Sequence, residues 1–123
     1  MNKILLIDDS QTIRDELKAI LADVSGIETI EAENGLVGLE QLEKNPDTSL
    51  MIVDVNMPEM DGLTMIGRIH EEQKHTGIPI VMLTTETSKD MKDRAKELGI
   101  RAWILKPCDE KKIMFVIDKL LNQ

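Results

Sequence analysis

Four short stretches of the chain are apolar at every position: Ile4-Leu5-Leu6-Ile7, Leu50-Met51-Ile52-Val53, Ile80-Val81-Met82-Leu83 and Trp103-Ile104-Leu105. A strand with one wet face would alternate; runs this short without alternation, rich in Ile, Val and Leu, predict parallel strands buried on both faces. The third strand is placed over Leu50 to Val55, the fifth over Ile100 to Leu105, and a further strand near Ile27 to Glu31. Between the runs the apolar residues recur with helical spacing. Ser10 can cap a helix carrying Ile13, Leu17, Ile20, Leu21 and Val24 on one side, ended by Ser25-Gly26. Asn34-Gly35 opens a second, with Leu36, Leu39 and Leu42 predicted to point inward, and Asn45-Pro46 stops it. A third follows the turn Met57 to Gly62 and runs to about Glu72. Ser88 can cap a fourth over Lys89 to Leu98, closed by Gly99. The last is expected over Asp109 to Leu121.

Five βα units with short connections predict an α/β doubly wound parallel sheet with helices on both faces. Periodicity does not set the strand order. Any open parallel sheet, however, lines up the carboxyl ends of its strands along one edge, where ligands bind. The apolar runs lead into Asp8-Asp9, Asp54, Thr84-Thr85 and Lys106. Three carboxylates, a hydroxyl and an ammonium are therefore expected to meet at that edge.

Two carboxylates about 4 Å apart repel by roughly 4 kcal/mol at an effective dielectric near 20, so such a cluster requires a cation or a proton. Mg2+ suits it, because it prefers oxygen donors and commonly takes one or two protein carboxylates together with phosphate oxygens. On this reading Asp8 and Asp9 hold the ion and Asp54 offers a carboxylate nucleophile to a phosphoryl group. Thr84 would donate a hydrogen bond and Lys106 would supply a fixed positive charge, which meets the positioning and neutralisation that phosphoryl transfer asks for.

Composition narrows the classes. At 123 residues the chain is expected to be a single domain. Its 23 acidic against 15 basic residues leave a net charge of −8, which argues against a nucleic-acid backbone as partner. No apolar run approaches the roughly 18 residues of a membrane span, and the chain enters its first strand without a secretory signal. One cysteine, Cys108, fits a reducing compartment, and a cytoplasmic location is expected. Seven internal methionines are expected to fill a core poor in aromatics, with Met91 or Met114 able to lie on an interaction face. His70 and His75 are expected to be solvated.

Ile7-Asp8-Asp9-Ser10, Asp54 followed by Met57-Pro58-x-Met60-Asp61-Gly62, Leu83-Thr84 and Lys106-Pro107 resemble the receiver domain of two-component response regulators over essentially the whole chain. The resemblance implies a flavodoxin-like (βα)5 fold with strand order 2-1-3-4-5. It implies Mg2+ bound by Asp9, Asp54 and the backbone carbonyl of Asn56, with Asp8 assisting through water, and phosphorylation of Asp54 by a histidine kinase. It makes Lys106-Pro107 a cis peptide and Thr84 and Trp103 the switch residues, whose movement reshapes the face of the fourth helix, fifth strand and last helix. With the sequence ending at Gln123, residues 1–123 are expected to form one receiver domain without an output domain, a monomer signalling through contact with a protein target. The only catalysis expected is of its own phosphorylation and dephosphorylation.

Asn56 and Glu86 stand two residues beyond Asp54 and Thr84, positions that tune phosphoryl lifetime in this family. The pair resembles stand-alone chemotaxis regulators of the CheY kind and implies a short-lived phosphoryl state. Thr85 is bulkier than the small residue usual there, Trp103 replaces the commoner Tyr or Phe, and Cys108 stands where an aromatic is frequent. Cys108 is expected to be a small buried apolar residue. Within the family a phosphorelay intermediate is the alternative. A Mg2+-dependent aspartyl-phosphate phosphatase would want Asp-x-Asp after the first strand, where this chain has Asp8-Asp9-Ser10. A flavin or nucleotide carrier would lack a tyrosine to stack on and would set acids against phosphate.

Overall fold

Three of the four unalternated runs are strands buried on both faces; the fourth lies at the edge of the sheet, where Trp103 is half-buried and Leu105 is 46% exposed. A computed structural model describes residues 2–122 and arranges them as β1 (Asn2–Ile7), α1 (Gln11–Ala22), β2 (Ile27–Ala32), α2 (Gly35–Lys44), β3 (Thr48–Val53), α3 (Gly62–Glu72), β4 (Ile80–Thr84), α4 (Lys89–Glu97), β5 (Ala102–Leu105) and α5 (Glu110–Leu121). The five strands form one parallel sheet in the order β2-β1-β3-β4-β5, the flavodoxin-like (βα)5 arrangement. No helix among the described residues is long and apolar enough to cross a membrane.

Successive strand residues feed two different cores. Leu5, Ile7, Met51, Val53, Ile80 and Met82 pack under α2, α3 and α4, whereas Ile4, Leu6, Leu50, Ile52, Val81 and Leu83 pack under α1 and α5. Period-two geometry with both faces covered thus explains why the runs 4–7, 50–53 and 80–83 within the central strands show no polar position. Met51, Met65 and Met82 are wholly enclosed, while Met91 and Met114 sit half-buried against the two cores. Met91 also lines a surface cavity.

The helix caps occur where the sequence places them. Ser10, Asn34 and Ser88 each accept a hydrogen bond from the N–H three residues on, as does Asp61 at the start of α3. The inward face of α2 differs from expectation. Leu42 is buried and Leu39 packs on the core as expected, but Leu36 is exposed, and Gly35 and Gly38 face the core in its place. The close approach decides this: a Cβ at Gly35 would lie 2.8 Å from Met60, and one at Gly38 2.8 Å from Met65 Sδ. The small residues mark the contact side and turn Leu36 to solvent. Two strand bounds also shift, since β3 closes at Val53 and β5 opens only at Ala102.

Neither histidine is simply solvated. His70 is exposed but its Nε2 lies 2.7 Å from the Leu98 carbonyl, and the side chain of His75 is largely covered, 3.5 Å from Glu43. Cys108 is half-buried against the α1/α5 core rather than enclosed. Burial, followed by the hydrogen bond to Glu16, pushes its thiol up to about 11, so it stays protonated at neutral pH.

At the β1/β2 edge, Arg14 and Lys18 of α1 both pair with Glu31 of β2, at 3.0 and 3.2 Å. Burial works against the Glu31 carboxylate, but hydrogen bonds from Lys18 and Arg14 outweigh it and leave the pKa below 4.5. A depressed acid stabilises the fold above its unfolded pKa and loses that contribution as pH falls through the folded value. Urea unfolding of Glu31→Gln should therefore show a deficit that is constant at neutral pH and closes only below pH 4.5, where the parent loses its advantage. A deficit independent of pH down to full acid denaturation would contradict it.

Candidate functional site

Asp8, Asp54 and Lys106 each follow their strand by one position, with the N–H still continuing the sheet ladder, while Thr84 is the last residue of β4 and Asp9 lies one residue past Asp8. Asp8 N–H bonds the Ala32 carbonyl at 3.1 Å, Asp54 N–H the Ile7 carbonyl at 2.9 Å, and Lys106 N–H the Thr84 carbonyl at 3.0 Å. The sheet therefore fixes the backbone from which these side chains depart. Between Asp54 and α3, Met60 N–H bonds the Pro58 carbonyl across Glu59, held at φ +66°, a tight turn that brings Gly62 under the strand end. A Cβ at Gly62 would lie 2.1 Å from the Asp54 carbonyl oxygen, so only glycine lets α3 begin there. The Lys106-Pro107 peptide is cis.

The side chains converge as expected. Oxygens of Asp8, Asp9 and Asp54 lie within 4.8 Å of one another. Asp8 and Asp54 are buried; Asp9 is exposed. Lys106 Nζ sits between the buried pair, 2.9 Å from Asp8 Oδ2 and 3.0 Å from Asp54 Oδ2. Asp8 Oδ1 accepts from the Ser10 N–H at 2.9 Å. Burial pushes the Asp8 carboxyl above the usual carboxylate range, and the neighbouring Asp54 charge adds to it, against the pull of Ser10 N–H and Lys106. For Lys106 burial acts the other way, but its hydrogen bonds to Asp8 and Asp54 outweigh it and raise its pKa.

The donor set fits a small hard cation. Oxygens around an octahedral ion at about 2.1 Å are about 3 to 4 Å apart, a spacing that three carboxylates already within 4.8 Å reach by side-chain adjustment. One lysine against three acids leaves the cluster negative, and Lys106 occupies only Oδ2 of the two buried acids.

Beside the acids, Glu86 gathers four hydrogen bonds. Its N–H donates to Thr84 Oγ1 at 3.2 Å, its carbonyl accepts from Trp103 Nε1 at 3.1 Å, and its carboxylate accepts from Asn56 Nδ2 and Ser88 N–H, each at 3.3 Å. All four residues named at the tuning and switch positions, Asn56, Glu86, Thr84 and Trp103, are thus joined in one network. Thr84 is fully buried, Trp103 is half-buried against the α2/α3/α4 core, and Thr85 is exposed.

Sequence reasoning passed over Arg14. It is the one cationic side chain among the buried polar residues described, and its Nη1 donates to the Asp8 carbonyl. The available signal was an arginine one turn past the capping Ser10 and beside the apolar stripe, where solvation would be incomplete.

Removing one partner of a buried ion pair strands the other, at a cost of about 3 kcal/mol. Lys106→Met should lower stability by about that much without metal, and added Mg2+ should recover more stability in the variant than in the parent. Urea titrations with and without Mg2+ measure both; equal stability of the two proteins without metal would show that the acids do not depend on this lysine.

Comparison with known proteins agrees with this geometry. The family model for the response regulator receiver domain matches residues 4–118. The chain is 38% identical over 105 residues to chemotaxis protein CheY1 of Helicobacter pylori, covering 85% of each chain, and 31% identical over 121 residues to CheY-3 of Vibrio cholerae, covering 98% of this chain and 92% of that protein. The crystal structure of Vibrio cholerae CheY4 superposes with a TM-score of 0.87 at 33% identity, covering 98% of this chain and 99% of the other. A sheet edge carrying Asp8, Asp9, Asp54, Thr84 and Lys106 on this fold, matched by a family model along nearly its whole length, places the chain in the response regulator receiver domain family.

Proposed function

We propose that the protein is a phospho-accepting response regulator in which Asp54 takes a phosphoryl group from a histidine kinase. The observation that carries this reading is Lys106 bridging Asp8 and Asp54 while Asp9 completes a cluster within 4.8 Å. Asp54 attacks phosphorus through a carboxylate oxygen as the phosphorus–nitrogen bond of phosphohistidine breaks, and the freed imidazole nitrogen takes up a proton. Asp8, Asp9, Asp54 and the backbone carbonyl of Asn56 would hold Mg2+. When bound, the ion would neutralise charge on the phosphoryl oxygens. Lys106 supplies a second positive charge at the same place, and the Thr84 hydroxyl, which already accepts from Glu86 N–H, keeps its proton for donation.

Trp103 and Thr84 would form the switch, because both bond the backbone of Glu86 and a shift of the Thr84 hydroxyl reaches the indole through one residue. The signal would then pass to a protein target through the face of α4, β5 and α5. Chemotaxis is the pathway the named relatives suggest. The protein would act as a cytoplasmic monomer, catalysing its own phosphorylation and dephosphorylation alone.

Exposure to acetyl phosphate with Mg2+ should give a single phosphoryl adduct by intact mass, lost in Asp54→Ala and without Mg2+, with a parallel change in Trp103 fluorescence. A folded, Mg2+-bound protein without adduct would overturn the phosphoacceptor role. The Asn56–Glu86 hydrogen bond lies at the tuning positions and supports a short phosphoryl lifetime. The adduct should decay within minutes, and Asn56→Leu, which removes the amide, should prolong it several-fold; a half-life of hours in the parent would contradict this.

A further inference from the structure

We infer that Arg14 is a positioning residue for the divalent-cation site, holding the peptide between Asp8 and Asp9 through the Asp8 carbonyl; this rests on the Mg2+ reading above. A buried guanidinium is costly unless its donors are used. Arg14 is 8% exposed and spends all three nitrogens. Nε meets Glu31 Oε1 at 3.0 Å, Nη2 meets Gln11 Oε1 at 2.6 Å, and Nη1 donates to the Asp8 carbonyl. The first two contacts tie α1 to β2 and to its own first turn. The third serves neither purpose, because it ends on the main chain of the acidic loop.

That bond completes a four-point anchorage of Asp8. Its N–H is held by Ala32, its carbonyl by Arg14, Oδ1 by the Ser10 N–H and Oδ2 by Lys106. Asp9 is exposed and leaves the chain from the peptide plane that Arg14 fixes. The placement of its carboxylate near Asp8 and Asp54 therefore follows from the backbone more than from packing. Glu31, which Arg14 shares with Lys18, offsets part of the guanidinium charge on the side away from the acidic loop. Glu31 is itself held, by Lys18 at its carboxylate and by Gln41 at its carbonyl. Outer contacts of this kind orient metal ligands without touching the metal.

The test is calorimetric titration of Mg2+ into the parent, Arg14→Ala and Arg14→Lys, with urea unfolding of each protein alongside. The dissociation constant should rise roughly tenfold in Arg14→Ala, the usual scale for losing an outer contact. Methylguanidinium at a few millimolar should restore part of the affinity, entering by the open cavity of about 180 Å3 that Gln11, Arg14 and Glu31 line. Arg14→Lys keeps the charge but has one nitrogen for three acceptors, and it should also bind Mg2+ more weakly; if the alanine variant fails to fold, this variant decides. Cooperatively folded variants whose Mg2+ affinity stays within about twofold of the parent would reduce Arg14 to a tie between α1 and β2 and overturn the inference. A parent that binds no Mg2+ would overturn the metal reading and this inference together, so the two failures are distinct.

Discussion

The site depends on how its negative charge is held. Asp8 and Asp54 are buried at the end of adjacent strands, and without compensation one of them would take a proton. Lys106 reaches both, 2.9 and 3.0 Å away, from a third strand end. The lysine is on β5's loop, which joins the sheet through β4, so β1, β3, β4 and β5 must all be in register before the pair is neutralised. The remaining negative charge, with Asp9 at the rim, is what a divalent cation would answer.

The loops around the acids are linked through main chain as much as through side chains. Arg14 grips the Asp8 carbonyl, Gly62 packs on the Asp54 carbonyl, and Glu86 offers backbone groups to both Thr84 and Trp103. A parallel sheet provides stiff strand ends, and these contacts extend the stiffness by a residue or two into the loops. Asp9, Asn56 and Thr85 are among the exposed residues of these loops. In the proposed function these are the groups that face an incoming phosphoryl donor.

Most elements could be read in the chain because their signals are local. Ser10, Asn34 and Ser88 cap the helices they precede, and unalternated runs mark the strands, covered on both sides in β1, β3 and β4 but not at the edge in β5, where Leu105 is exposed. Leu36 departs from expectation because helical spacing alone does not distinguish a core leucine from an exposed one. Gly35 and Gly38 define the contact side of α2 through what they let approach, and Met60 and Met65 come from a distant part of the sequence. The strand bounds shifted for a related reason: Asp54 and Val55 lie beyond the last paired residue, Val53, and pairing is decided by the neighbouring strand. For His75 the sequence predicts solvation, because nothing near it along the chain shows that Glu43 lies beside it.

The sequence by itself determined the class of the fold and the identity of the groups at the carboxyl edge, because strand runs, caps and the residues that end them are written over a few positions each. Its motifs also carried the family, and with it the strand order that periodicity left open. Only the tertiary structure decided which oxygens Lys106 takes, that Glu86 joins Asn56, Thr84 and Trp103, and that Arg14 is buried on the Asp8 carbonyl. These depend on distances between segments far apart in the chain, and such distances are set by packing across the sheet rather than by any local preference.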